Sequence, residues 1–290
     1  MTGLRSVGSG ARRLTGGTVP GAIAFAVVLG VLFVAVFGPY LSKYSPSEIV
    51  GVPFQHGTGG HPFGTDFLGR DVMARVLNGG RSVVFLATAS TVASYLIGAT
   101  VGLIAGFREG WVDALLMRGV DVLLAFPPIL FLLVMASGAG PSAASLIIAI
   151  TVIFVPGVAR VIRSATQTTI HSGYVEAAVA RGESTRRIVF REILPNITST
   201  AVADAGPRLT FAILLVAAVN YLGLGLRPPA ADWALMISEN RAGLNLQPWA
   251  LAVPATLIAV LTVAVNIVAD HASGSAHSAA VGATSMEVVG

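Results

Sequence analysis

The chain has 290 residues and a formal net charge of +4; 54% of its residues are hydrophobic and 11% charged, against roughly 25% charged in soluble domains. That composition points to an all-α protein that crosses a membrane several times. It contains no cysteine, which excludes disulfides, thiolate metal sites and a cysteine nucleophile.

Crossing a bilayer takes about 20 mainly apolar residues per helix, because lipid offers no partners to unpaired backbone groups. Six stretches qualify. Residues 1–19 carry Arg5, Arg12 and Arg13 ahead of the first, at about 20–41. Its apolar run is too long for a signal peptide and no small-residue cleavage pattern follows, so it is read as a retained span.

An outer segment covers 42–81. It holds the turn-prone run Gly57 to Gly60, then Asp66 to Asn78 with the periodicity of an amphipathic helix that Gly79-Gly80 would end. The second span covers about 82–107. Gly98, Gly102 and Gly106 repeat every four residues there, either to admit a neighbouring helix closely or merely tolerated in a membrane helix.

The third span, about 115–137, contains Phe126-Pro127-Pro128, which predicts a kink. The fourth covers about 141–162 and is interrupted by Pro156. A charged loop at 163–199 follows, then the fifth span at about 200–224, a second outer segment at 225–248, and the sixth span at about 249–269. The membrane domain is thus 20–271. Residues 272–290, mostly Ala, Ser and Gly, are read as a tail without a fixed fold.

With the amino terminus inside, eleven arginines fall on inner segments and six Lys or Arg on outer ones, Arg208 lying near the start of span five. The excess of cationic residues on cytoplasmic loops therefore places both termini inside. These arginines are scattered between apolar runs rather than gathered into a dense exposed patch, so nucleic acid is not expected as a partner. Lys43, the only lysine, follows Ser42, so there is no Gly-Lys-Ser/Thr phosphate loop. If ATP drives this protein, the ATPase is another polypeptide.

Residues 176–196 carry seven formal charges. Gly182 divides them into two short helical stretches, the second ended by Leu194-Pro195, and such a unit is too short to be stable alone. Ala177, Ala178 and Ala180 offer a small-residue face, Ile188, Val189, Ile193 and Leu194 apolar anchors, and Arg186, Arg187 and Arg191 a charged rim, a pattern suited to a cytosolic interface. An ordinary basic loop that fixes topology is the alternative.

Glu176-Ala177-Ala178, then Gly182, then Leu194-Pro195-Asn196 resembles the EAA loop of ATP-binding-cassette importer permeases. That resemblance implies a coupling helix that docks on an ATPase subunit, with Glu176, Ala177, Ala178, Gly182, Ile188, Leu194 and Pro195 as docking residues. His61 to Asp71 resembles the His-Pro-x-Gly-Thr-Asp-x-x-Gly-Arg-Asp stretch of the dipeptide, oligopeptide and nickel permeases, in their C-type subunit. Leu222-Gly223-Leu224-Gly225, Pro228-Pro229, Asp232-Trp233, Pro248-Trp249, Pro254 and Asn266 are similar to later landmarks of the same family. Departures are Glu192 where histidine is usual, Val216 where glutamate is common, Ala234 where glycine usually follows tryptophan, and the Ala/Ser/Gly tail.

The resemblance implies the six-helix fold of a type I importer permease in the cell inner membrane. It implies a second, similar permease subunit, two ATP-binding subunits carrying ATP and Mg, and an extracytoplasmic peptide-binding protein. Short peptides are the expected cargo; nickel, another small chelate or a haem-like compound is the alternative. No hydrolytic activity and no metal or other cofactor is expected on this chain, whose His56, His61, His271 and His277 form no clear metal-ligand spacing.

Gly64, Thr65, Asp66, Gly69, Arg70, Asp71 and Trp233 are candidates for holding the outer loop together or for docking the binding protein. Pairing among Asp66, Arg70 and Asp71 is the favoured reading. Trp233 and Trp249 also suit the membrane interface. Asp121 in span three is a candidate for the transport path, because charges in spans face water or the bundle interior; Asp204 and Arg208 are spaced to form an i, i+4 pair. An ion-gradient transporter would show an internal repeat, which is not evident. An intramembrane enzyme would show His-Glu-x-x-His or Gly-x-Ser-x-Gly, and neither occurs.

Overall fold

Helix α1 spans Val19–Leu41, α2 Val72–Phe107, α3 Trp111–Leu124, α4 Pro128–Gly138, α5 Ala143–Ile170 and α6 Gly173–Ala180. Helix α7 runs from Thr185 to Tyr221, α8 covers Trp233–Asn240, and α9 covers Trp249–Glu287. The computed structural model describes residues 19–287, with side chains as far as His271. The cationic Arg5, Arg12 and Arg13 lie outside the described residues. Among those described, β pairing is limited to isolated bridges such as Ile49 with Arg70 and Thr65 with Asp71.

Five helices, α1, α2, α5, α7 and the membrane part of α9, are long and apolar enough to span a bilayer, and the bent pair α3 with α4 reaches that length and apolarity only when the two are taken together. The break is sharper than a kink: α3 and α4 meet at 81°. Pro127 and Pro128 lack the N–H groups that would join the two segments, and Pro128 instead starts α4 with its fixed φ.

Three boundaries differ from the sequence reading. Gly79-Gly80 does not end a helix, since α2 runs through both. A Cβ on Gly80 would lie 2.6 Å from the Trp233 ring, and one on Gly79 2.9 Å from it, so these glycines make room for the tryptophan. Leu194-Pro195 does not end the helix after Gly182 either. A π turn over Val189–Ile193 precedes the proline, with the Leu194 N–H bonded to the Val189 carbonyl, and the helix continues through it. Finally, α9 extends into the tail as far as Glu287, where its many alanines sustain the helix launched by the sixth span.

The bundle is organised around α2 and α5. Apolar side chains gain little by leaving lipid for protein, so close packing and polar contacts decide how membrane helices associate. Gly98, Gly102 and Gly106 form the contact face of α2. A Cβ on each would lie 2.7 Å from Val158 Cβ, 2.6 Å from the Ala159 carbonyl oxygen and 2.7 Å from Thr166 Cβ, respectively. Their periodicity therefore serves close approach. Around this pair, Leu86, Ile150, Phe154, Ile213, Val216 and Trp233 build an outer core. Val158, Ile162, Val175, Ala178, Ile188, Ile193 and Ile197 build a second one toward the charged loop.

Replacing Gly102 by Ala should force α2 from α5 and cost about 1–3 kcal/mol, the range for overpacking, lowering the thermal midpoint in detergent by several degrees. Gly119→Ala, where nothing lies within 4 Å of the new Cβ, should be neutral or slightly stabilising.

Candidate functional site

The charged loop forms a helical hairpin. Helix α6 ends on Gly182, whose φ of +72° closes a Schellman turn: its N–H reaches the Val179 carbonyl at 2.9 Å and the Glu183 N–H the Ala178 carbonyl at 3.2 Å. Glu183 ties the turn to its flanks, accepting from Arg181 at 2.9 and 3.1 Å and pairing with Arg187 at 3.0 Å.

One side of this hairpin is buried against its own protein. Val175, Ala178, Ile188, Ile193 and Ile197 pack on Val158 and Ile162 of α5, with Leu103 and Phe107 of α2 alongside. The other side faces outward. Tyr174, Glu176, Ala177, Val179, Ala180, Arg181 and Phe190 are all exposed there.

This burial separates the residues that sequence grouped as docking residues. Glu176, Ala177, Gly182 and Pro195 are exposed and Leu194 is half-buried, whereas Ala178 and Ile188 have no free surface. The last two hold the hairpin on its base. Sequence reasoning missed Tyr174, Val179 and Phe190 on the exposed side. Their spacing gives no signal until the buried side is known.

At the opposite end of α2 the outer segment folds back on itself around buried charge. Asp66 Oδ2 accepts from Arg70 Nε at 2.7 Å and from Arg75 Nη1 at 2.8 Å, while its Oδ1 accepts the Leu68 and Arg70 N–H groups at 2.9 Å. Glu239 of α8 pairs with both arginines, completing a two-anion, two-cation cluster. Arg70 and Arg75 are 3% and 0% exposed, so neither head group reaches solvent.

Asp71 is not part of that cluster. It caps α2 by accepting the Ala74 N–H at 2.8 Å, and His61 pairs with its other oxygen. Thr65 clips the loop by donating to the Val52 carbonyl and accepting from the Gln55 N–H. Gly64 and Gly69 have positive φ, and a Cβ on Gly69 would lie 2.1 Å from the Gly51 carbonyl oxygen.

Trp233 is fully buried rather than interfacial, its Nε1 donating to the Val76 carbonyl at 2.8 Å; Trp249 remains half exposed. Asp232 caps α8 and accepts from Ser82 at 2.6 Å. Burial pushes its carboxyl up from the usual aspartate range despite those bonds. All seven outer residues singled out in the sequence are thus buried, and they join the loop to α2 and α8. Arg75 and Glu239 complete the arrangement but stand 164 residues apart, beyond any local pattern.

Two charged pairs, each containing a residue singled out in the sequence, sit on the spans. Asp121 pairs with Arg160 of α5, both more than half exposed. Asp204 and Arg208 form the expected pair, joined by the Tyr95 hydroxyl, which donates to Asp204 at 2.6 Å. Arg208 lies over Gly157 of α5, where an added Cβ would come within 2.7 Å of its guanidinium.

Residues 98–274 match the family model described as the binding-protein-dependent transport system inner membrane component. The chain belongs to that family. This inner membrane component is 32% identical to the dipeptide transport system permease protein DppC of Alkalihalophilus pseudofirmus, over 86% of the present chain and 82% of the relative. It is equally similar to the glutathione transport system permease protein GsiD of Pectobacterium atrosepticum, at 32% identity over 84% and 81% of the two chains. Its fold matches a chain of the inward-facing MetNI methionine ABC transporter with a TM-score of 0.56 and 17% identity, covering 71% of this chain and 97% of that one. The multi-pass helical architecture is therefore that of an ABC importer permease.

Glu239→Gln should leave two buried arginines facing one carboxylate and cost about 3–5 kcal/mol, the range for breaking a buried pair. The expected readout in this inner membrane component is a collapse of folded yield or a large fall in thermal midpoint. Arg181→Gln, at an exposed pair, should cost less than about 1 kcal/mol and leave both unchanged.

Proposed function

We propose that this chain is one of two membrane-spanning subunits of an ATP-driven importer for short peptides, and that the hairpin of α6 and the start of α7 is its contact with the ATPases. The observation that carries the reading is the two-sided hairpin: an apolar base fixed to α2 and α5, and an outward side on which small, aromatic and charged residues stand exposed. Interfaces combine such an apolar centre with a polar rim. The relatives named for dipeptide, di/tripeptide and glutathione transport support peptides as the cargo.

In this reading ATP and Mg bind to two separate subunits, since the chain has no phosphate loop. The arginine distribution supports a cytoplasmic hairpin with both termini inside the cell membrane. Residues 121–130, at the break between α3 and α4, are all exposed although they belong to a span. A charged residue, Asp121, on that surface suits a second permease subunit and the path between the two rather than lipid. A binding protein delivers cargo from outside, and closure of the ATPases moves the hairpins so that the cavity opens alternately to each side.

The test uses the chain co-expressed with its permease, ATPase and binding-protein partners. Wild type should copurify with two ATPase subunits and a second permease, and import peptide only with ATP. Glu176→Arg and Ala180→Arg should keep the permease pair and its thermal midpoint but lose the ATPases, with uptake falling at least about tenfold, as expected for an unpaired charge forced into an interface. Retained ATPases and normal uptake would sink the proposal.

A further inference from the structure

Arg81 is an exposed cation of α2 that forms no hydrogen bond or ion pair among the described residues. The sequence places it at the end of the outer segment, but the fold sets it beside a span. Gly38 of α1 lies against Leu77 of α2, so closely that an added Cβ would meet the Leu77 carbonyl oxygen. Gly38 belongs to the first span, and Arg81 follows Leu77 by one further helical turn. A charge in such a position ordinarily faces water or pairs with protein.

Arg81 lines a groove of about 460 Å³ between α1 and α2. Leu32, Val36 and Tyr40 border it at successive turns of α1, and Arg81, Phe85 and Thr88 at successive turns of α2. At about 1.5 Å per residue, each row covers about 10–12 Å of helix. Side chains lean toward the start of their helix, so Arg81 leans toward the end of α2 beside which Tyr40 stands, 84% exposed and with its hydroxyl unbonded among the described residues. Leu32, Val36 and Phe85 make the deeper part apolar. Lys43, three residues after Tyr40, also lacks an ion pair among the described residues; its Nζ lies 5.1 Å from the Tyr44 ring.

We propose that this groove is a binding site for an anionic phospholipid. Arg81 holds the phosphate through two parallel N–H donors, the arrangement that guanidinium groups favour for phosphate, and the Tyr40 hydroxyl donates to the same group. One acyl chain lies along Leu32, Val36 and Phe85. Arg81 and Lys43 bring two positive charges to the head end with no acidic side chain paired to either, which favours a headgroup without an ammonium of its own. The lipid neutralises Arg81 and fills the gap that α1 and α2 leave beyond their contact at Gly38. The inference is independent of the cargo.

The experiment uses the full-length chain with its co-expressed partner subunits, delipidated in detergent and titrated with phosphatidylglycerol or phosphatidylcholine of matched chains. Native mass spectrometry counts the bound lipid. One phosphatidylglycerol should bind wild type about fivefold more tightly than phosphatidylcholine, the weight of one cation at an anionic surface. Arg81→Gln should remove that preference, and Val36→Trp, which fills the groove from an exposed position, should weaken both lipids. Arg227→Gln, at an exposed arginine outside the groove, should change neither. Phosphatidylglycerol should also raise the thermal midpoint of wild type and Arg227→Gln more than that of Arg81→Gln, since a ligand stabilises the fold it binds. Equal lipid preference in wild type and Arg81→Gln overturns the site, as does an equal loss in Arg227→Gln, which marks diffuse surface attraction. Loss of the second membrane subunit from Val36→Trp, with lipid binding unchanged, makes the groove a subunit contact and overturns it as well.

Discussion

The close approach of α2 and α5 is the constraint on which the other elements depend. In lipid, apolar side chains have little to gain from each other beyond packing, so two long helices stay together only where their backbones can come near. Three glycines four residues apart provide that on α2, and the Val158, Ala159 and Thr166 side of α5 fills the space they leave. Everything that looks functional is attached to the two ends of this pair. The buried charge cluster closes the outer end of α2, and the hairpin rests on Val158 and Ile162 with Leu103 and Phe107 beside it.

That arrangement explains how one loop can be both charged and rigid. An eight-residue helix such as α6 has no independent stability, yet Val175 and Ala178 bury it against the bundle, and Ile188, Ile193 and Ile197 do the same for the start of α7. Because the π turn carries α7 past Pro195 without a stop, the hairpin and the fifth span are one continuous body. In the proposed coupling, a force on the exposed side would travel along α7 toward Tyr221, past the Tyr95–Asp204–Arg208 contact that joins α7 to α2. A flexible connector would dissipate it.

The outer cluster shows the opposite use of charge. Asp66, Arg70, Arg75 and Glu239 cost desolvation energy when buried, and their mutual pairing offsets that cost without guaranteeing a gain. What the cluster secures is position: it fixes the start of α2 against α8, and with Trp233 seated on Gly79 and Gly80 it sets the outer end of the bundle. By contrast Asp121 and Arg160 pair on an exposed surface of their helices.

The sequence by itself determined the membrane class, the apolar runs that become the long helices, a bend at Pro127-Pro128 and the hairpin turn at Gly182, because apolar length, missing N–H groups and positive φ are local properties. It also marked Asp66 with Arg70 and Asp204 with Arg208, whose spacing alone places them within reach. Only the tertiary structure decided which side of the hairpin faces outward, moving Ala178 and Ile188 inward and Tyr174, Val179 and Phe190 outward, since burial depends on where α5 lies. It likewise assigned Gly79-Gly80 to Trp233 instead of a helix end and brought Glu239 to Arg75. Each of those joins residues far apart in the chain, and no local periodicity records such a meeting.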